Sequence, residues 1–177
     1  KSQDSFVVSD LHLGVTYPDK PYHVMEHEAV HERLINSVEN HQPSEIIFNG
    51  DIFSTKNADD YWVDMFSEFN SLVDELVFNI GNHEEKNGGF PKFVAEDYKV
   101  EMSVKRGEYL IHHGHRTPTT KSEINIIGHL HPTLEGKDVL LEKENAYYTT
   151  DVVVMPVFSD IVNGVDVHNQ TSKGHCH

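Results

Sequence analysis

The chain has 177 residues, 29 acidic against 14 basic, for a formal net charge of −15. That length suits one domain with a sizeable core, and the acidic excess disfavours long-range attraction to nucleic acid or anionic lipid. The single Cys176 excludes an intrachain disulfide, and no apolar run reaches the roughly 18 residues of a membrane span. The opening Lys1-Ser2-Gln3-Asp4-Ser5 has no apolar signal stretch. The expectation is a cytoplasmic protein with no membrane partner.

The elements are predicted in chain order. A strand over Ser5 to Ser9 leads into a polar loop with Pro18 and Pro21. A helix follows from about Val24 to Asn40, with Ala29, Val30, Leu34, Ile35 and Val38 inward, and Pro43 stops it. Then come a strand Glu45 to Asn49, a helix from about Ala58 to Leu72, and a strand Leu76 to Ile80. This βαβαβ order favours a parallel sheet covered by helices. Past Gly88-Gly89 the spacing shortens to strands Tyr98 to Val104, Tyr109 to His112, Ile124 to Ile127, Val139 to Leu141 and Val152 to Phe158, which implies antiparallel or mixed pairing. The reading is one domain over residues 1–167 and a polar tail over 168–177 that ends in Gly174-His175-Cys176-His177. The fold class expected is α/β, two sheets face to face with helices outside.

Five polar clusters stand in order: Asp10-Leu11-His12, Gly50-Asp51, Gly81-Asn82-His83, His113-Gly114-His115 and Gly128-His129-Leu130-His131. Most end a short apolar run, which places them along one edge of a sheet. Residues at i and i+2 point the same way along a strand, so Asp10 with His12, and His129 with His131, can each serve one site. His112 and His113 face opposite sides, and Gly114 favours His113 because it lets the backbone bend close to an ion. Carboxylate, amide and imidazole together suit borderline-hard divalent ions such as manganese, iron or zinc better than calcium; the expectation is two divalent ions, manganese first, with iron, zinc, nickel or magnesium as alternatives.

These motifs resemble those of the calcineurin-like metallophosphoesterases: Asp-x-His, Gly-Asp, Gly-Asn-His, a His beside Gly, and Gly-His-x-His. The short path from His113 to His129, Pro132, and the segment Val154 to Phe158 leading to Asn163 to Val167 are similar to small archaeal SbcD-related and bacterial DNA ligase-associated phosphoesterases. The resemblance implies a four-layer αββα sandwich. It implies one metal on Asp10, His12, Asp51 and His131, and a second on Asp51, Asn82, His113 and His129, with Asp51 bridging. His83 becomes the catalytic histidine, outside both ligand sets. His115 and Arg116 are candidates for contact with a substrate phosphate.

Two metals about 3.5–4 Å apart can generate hydroxide for in-line attack on phosphorus, and His83 suits protonation of the leaving oxygen. A phosphodiesterase acting on nucleotides or nucleic-acid ends is the leading expectation. A phosphomonoesterase for a small metabolite and a non-catalytic metal-dependent scaffold are the alternatives. His27-Glu28-Ala29-Val30-His31 also fits the short zinc-protease pattern. The longer signature fails at Leu34 and Ser37, so a solvated helix face is the expectation there.

Overall fold

The computed structural model describes residues 4–15, 23–57, 59–118, 122–133, 147–148, 151–159 and 165–166. The expected strand Val139 to Leu141 and the tail from His168 lie outside the described residues.

Two sheets lie face to face and are flanked by helices, as expected for the α/β class. Strands β1 (Ser5–Val8), β2 (Glu45–Asn49), β3 (Glu75–Asn79) and β4 (Lys99–Glu101) form the first in that order, with every pairing parallel. The second contains β5 (Val104–Arg106), β6 (Tyr109–His112), β7 (Ile124–Ile127), β10 (Val152–Val154) and β9 (Tyr147–Tyr148), and is mixed. A small sheet pairs β8 (Pro132–Thr133) with β11 (Val165–Asp166).

Helices α1 (His23–His41), α2 (Asp60–Leu72) and α4 (Lys92–Asp97) cover the outer face of the first sheet; α3 (Asn82–Lys86) is a short turn after β3. Val30, Leu34 and Val38 recur at helical spacing on α1, and Trp62, Met65, Phe66 and Phe69 on α2. Both stripes bury against Val8, Ile46, Phe48, Leu76 and Phe78. The Phe48 ring stacks on Phe78 at 4.9 Å and meets Phe66 edge-on at 5.1 Å. Each such ring contributes about 1.5–3 kcal/mol through burial. Asp59 caps α2 by accepting the Tyr61 N–H at 3.0 Å.

Alternation sends the remaining residues of these strands to the other face. Val7, Ile47 and Val77 meet Val104, Ile111 and Ile126 between the sheets. The core therefore has two layers, one aromatic beneath the helices and one β-branched between the sheets.

The stretch expected as one strand, Tyr98 to Val104, is two. The chain leaves the first sheet after Glu101 and enters the second at Val104, so Met102 and Ser103 form the crossover. Neither residue is a breaker. The strand expected to reach Phe158 ends at Val154, because beyond it the N–H groups of Phe158 and Ser159 donate to the carbonyls of Ser9 and Asp10 at 3.1 and 3.4 Å. The His27/His31 face is not solvated as expected. His31 lies between the Tyr61 hydroxyl at 2.9 Å and the Glu68 carboxylate at 3.0 Å, and His27 packs edge-on to Trp62. Both histidines belong to the contact between α1 and α2.

Far from the polar clusters, buried Glu45 receives two hydrogen bonds from Arg106 at 2.6 and 2.5 Å, and another from Ser5. Burial alone would raise the Glu45 pKa, but the Arg106 and Ser5 hydrogen bonds outweigh it and hold it below the usual carboxylate value. A depressed pKa contributes stability above the unfolded value that is lost as pH falls through the folded one. Arg106→Gln is therefore expected to cost about 3 kcal/mol near neutral pH, at the low end for a buried pair because the guanidinium keeps some solvent. It should also flatten the acid limb of the stability profile. Urea melts of metal-free protein between about pH 3 and pH 7 measure both effects.

Candidate metal centre

Strands β1, β2 and β3 run parallel, as do β6 and β7, so the C-terminal ends of each set share an edge. Binding sites of open α/β sheets form at such edges. Asp10 and His12 follow β1, Asp51 follows β2, Asn82 and His83 open α3 after β3, His113 follows β6, and His129 and His131 follow β7. The loops after β1 and β2 are zipped together: Asp10 N–H donates to Gly50 at 3.1 Å, His12 N–H to Asp51 at 2.9 Å, and Leu13 N–H to Ile52 at 2.8 Å.

The backbone here is strained. Among the described residues, positive φ occurs at six non-glycine positions, and five are Asp10, His12, Asp51, His129 and His131. Left-handed backbone at a residue with a Cβ costs roughly 1–3 kcal/mol and concentrates at functional sites. The outcome is convergence of donor atoms. Asp10, His12 and His131 form one group, His12, Asp51 and His83 a second, and Asp51, His113 and His129 a third, each with donor atoms within 4.8 Å of one another.

The distances describe a site shaped for cations. His131 Nε2 lies 2.9 Å from Asp10 Oδ1 and 3.4 Å from His12 Nε2. His113 Nε2 lies 3.0 Å from Asn82 Oδ1 and 3.2 Å from Asp51 Oδ2. The other nitrogen of His113 is 3.1 Å from the Asn49 carbonyl, an acceptor that takes the Nδ1 proton and leaves the Nε2 lone pair toward those oxygens. Converging lone pairs repel unless a positive charge sits among them, so the donor set fits a metal.

Electrostatics favour the neutral, metal-binding form at two of these imidazoles. Burial lowers the His12 pKa to about 4, which keeps it a neutral donor through physiological pH. Burial also lowers His129, with the neighbouring His113 adding to it. His113 goes the other way: burial disfavours its charge, but the Asp51 hydrogen bond and the charges of Asp10 and Asp51 outweigh it and raise the pKa. Burial would raise Asp51, yet the hydrogen bond and charge of His113 hold it at about 2.

His83 lies at the rim, 39% exposed, with Nε2 3.9 Å from Asp51 Oδ2 and its ring edge-on to His12 at 4.8 Å. Its N–H donates to Asp51 Oδ1 at 2.9 Å. His115 packs beside His113 with ring centroids 5.3 Å apart, and its Nε2 is 3.3 Å from Glu85. Arg116 is exposed and bound to the same Glu85 at 2.7 Å. His112 is in none of the donor groups.

Several supporting residues were missed in the sequence. Ser9 Oγ donates its proton to Asp10 Oδ2 at 2.5 Å and lies 2.9 Å from the Asn49 carbonyl, an alternative acceptor. Glu84, fully buried, accepts the N–H groups of Asp51 at 3.0 Å, Phe53 at 2.9 Å and Gly81 at 2.9 Å. It clasps the loop carrying Asp51 to the helix carrying Asn82. Its place three residues after Gly81, the reach-back position of a capping box, was the available signal. Burial raises its pKa to about 7, against the pull of the N–H groups of Phe53 and Gly81.

Two motif glycines are explained by crowding. A Cβ at Gly81 would stand 2.2 Å from Asp51 Oδ1, and one at Gly128 would stand 1.9 Å from Ser9 Oγ and 2.4 Å from Asp10 Oδ2. Gly128→Ala is expected to push Ser9 and Asp10 aside, destabilising the fold by about 1–3 kcal/mol through overpacking and weakening metal binding. Thermal melts with and without Mn²⁺ check this, and a metal-induced shift in Tm equal to that of wild type would contradict it.

Two facing sheets thus gather histidine, carboxylate and amide donors that could hold metal at one edge. The model of the calcineurin-like phosphoesterase family matches residues 6–170, and the chain belongs to that family. It is a metal-dependent phosphoester hydrolase. The crystal structure of the Pseudomonas putida nuclease MPE is similar in fold, with a TM-score of 0.70 at 20% identity over 93% of this chain and 80% of that one. Comparison with curated proteins gives no match. Among the described residues no helix is long and apolar enough to cross a membrane.

Proposed function

We propose that the chain is a dinuclear-metal phosphodiesterase. The observation that carries the reading is the chain of overlapping donor groups linked through His12 and Asp51. In this reading Asp10, His12, Asp51 and His131 hold one ion, Asp51, Asn82, His113 and His129 hold the other, and Asp51 is shared. When bound, two such ions supply Lewis acidity that activates water and neutralises phosphoryl oxygens.

The protein's own groups do the rest. Ser9 and the His129 N–H, 3.2 Å from Oδ2, fix the Asp10 carboxylate so that Oδ1 faces His131. Asn49 fixes the His113 tautomer. His83, partly exposed at the rim and tethered to Asp51 through its backbone, would give a proton to a leaving alkoxide. Glu85 holds Arg116 beside the site, where exchange of that ion pair for a substrate phosphate oxygen would contribute to binding, and His115 lines the same side.

A diester substrate is supported by the likeness in fold to a nuclease. The net charge of −15 sets a limit on nucleic acid: ends captured by the metals suit this surface better than a long polyanion. The test is hydrolysis of bis-p-nitrophenyl phosphate beside p-nitrophenyl phosphate by metal-stripped protein resupplied with Mn²⁺. Faster diester turnover is expected. Monoester turnover alone would replace this reading with a phosphomonoesterase.

A further inference from the structure

The inner faces of β2 and β3 carry the same three-tier pattern. Side chains alternate along a strand, so Glu45, Ile47 and Asn49 share one face, and in register beside them stand Glu75, Val77 and Asn79. Each tier meets the second sheet through different chemistry. At the end far from the metal centre Arg106 binds Glu45 and lies 3.8 Å from Glu75. In the middle Ile47 and Val77 pack on Val104 and Ile111. At the metal-centre end the contact is amide to backbone: Asn49 Nδ2 donates to the His112 carbonyl at 3.0 Å, and Asn79 Nδ2 donates to the Ile111 carbonyl at 3.0 Å and to Asn49 Oδ1 at 2.9 Å.

Both asparagines are fully buried, and Asn79 Oδ1 has no hydrogen-bond partner among the described residues. Burial without a partner is unfavourable, and packing alone would be served by apolar residues, as in the tier below. Their place in the chain supplies a reason. Asn49 stands two residues before Asp51, and the carbonyls of Ile111 and His112 lead directly into His113. The Asn49 carbonyl also accepts from the His113 ring and lies 2.9 Å from the Ser9 hydroxyl, which holds Asp10. Donors from the first sheet and donors from the second are thus stitched together one layer beneath the site.

We infer that Asn49 and Asn79 are positioning residues that set the separation of the two sheets at the metal-centre end, and with it the distance between donors of the two sheets. The inference rests on the metal reading above. Its test is calorimetric titration of metal-stripped protein with Mn²⁺, paired with thermal melts of the metal-free forms. Asn79→Leu and Asn49→Leu are expected to weaken Mn²⁺ binding by about 10–100-fold, the usual effect of losing groups that orient metal ligands. Arg106→Gln loosens the opposite tier of the same interface. It should lower Tm yet leave Mn²⁺ affinity within about twofold, as expected for a distant site.

Asparagine variants that bind Mn²⁺ like the wild type would overturn the inference, as would an Arg106→Gln variant that loses affinity to the same degree. Wild-type protein that takes up no Mn²⁺ would overturn the metal reading itself. Where a leucine prevents folding, serine at the same position loses these amide bonds without apolar bulk, and the same two readings decide.

Discussion

Asp51→Asn is expected to abolish turnover, by at least about three orders of magnitude, because the ions it would share supply several kcal/mol of transition-state stabilisation. Asparagine keeps the oxygen that accepts the His83 N–H, so α3 stays docked. What disappears is the charge. Oδ2 now faces His113 Nε2 at 3.2 Å with a pKa held near 2, and an amide there cannot bridge two cations. In metal-free protein the Asp51 carboxylate contributes stability above 3.8 that is lost as pH falls toward about 2. The variant should lack that acid transition. Steady-state rates, Mn²⁺ calorimetry and acid melts read the three effects separately, and an Asp51→Asn protein that kept both activity and metal would remove the shared carboxylate from the account.

His83→Ala is the second large effect and has a different signature. A lost general acid costs about 10²–10⁴-fold in kcat, whereas metal binding should hold, because His83 lies outside both proposed ligand sets. The side chain is exposed at the rim and 3.9 Å from Asp51, so truncation leaves no buried cavity and little change in stability is expected. Substrates with good leaving groups need less protonation, so p-nitrophenyl esters should lose less rate than alkyl esters. His12, Asp51 and His83 also form a donor group. A variant that loses one Mn²⁺ along with its activity would therefore make His83 a ligand rather than the proton donor.

The sequence exposed most of the first sheet and its helices, because an apolar stripe such as Trp62, Met65, Phe66 and Phe69 has a period that only a helix satisfies. The polar clusters were legible for a related reason: Asp10, Asp51 and His113 each interrupt an apolar run at the point where a buried strand ends. The crossover at Met102 and Ser103 was hidden, since the apolar pattern runs on across it and only the pairing of β4 with β3 and of β5 with β6 reveals the break.

The supporting layer was hidden as well. Nothing around Glu84 in the sequence marks it as buried, and two of its three N–H partners, Asp51 and Phe53, are more than thirty residues away. Asn49 and Asn79 are the sharper case. Glu45 to Asn49 reads Glu-Ile-Ile-Phe-Asn and Glu75 to Asn79 reads Glu-Leu-Val-Phe-Asn, a likeness that each copy hides by also reading as an ordinary strand. Only the register that places Glu45 beside Glu75 and Asn49 beside Asn79 turns it into a ladder.

If two ions at one shared carboxylate drive phosphodiester hydrolysis, metal uptake and turnover must rise together. The most direct measurement titrates Mn²⁺ into metal-stripped protein while recording bound metal and bis-p-nitrophenyl phosphate turnover on the same samples. Activity is expected to reach its plateau only as a second ion binds per chain. Full activity with one ion bound, or diester turnover with none, would contradict it.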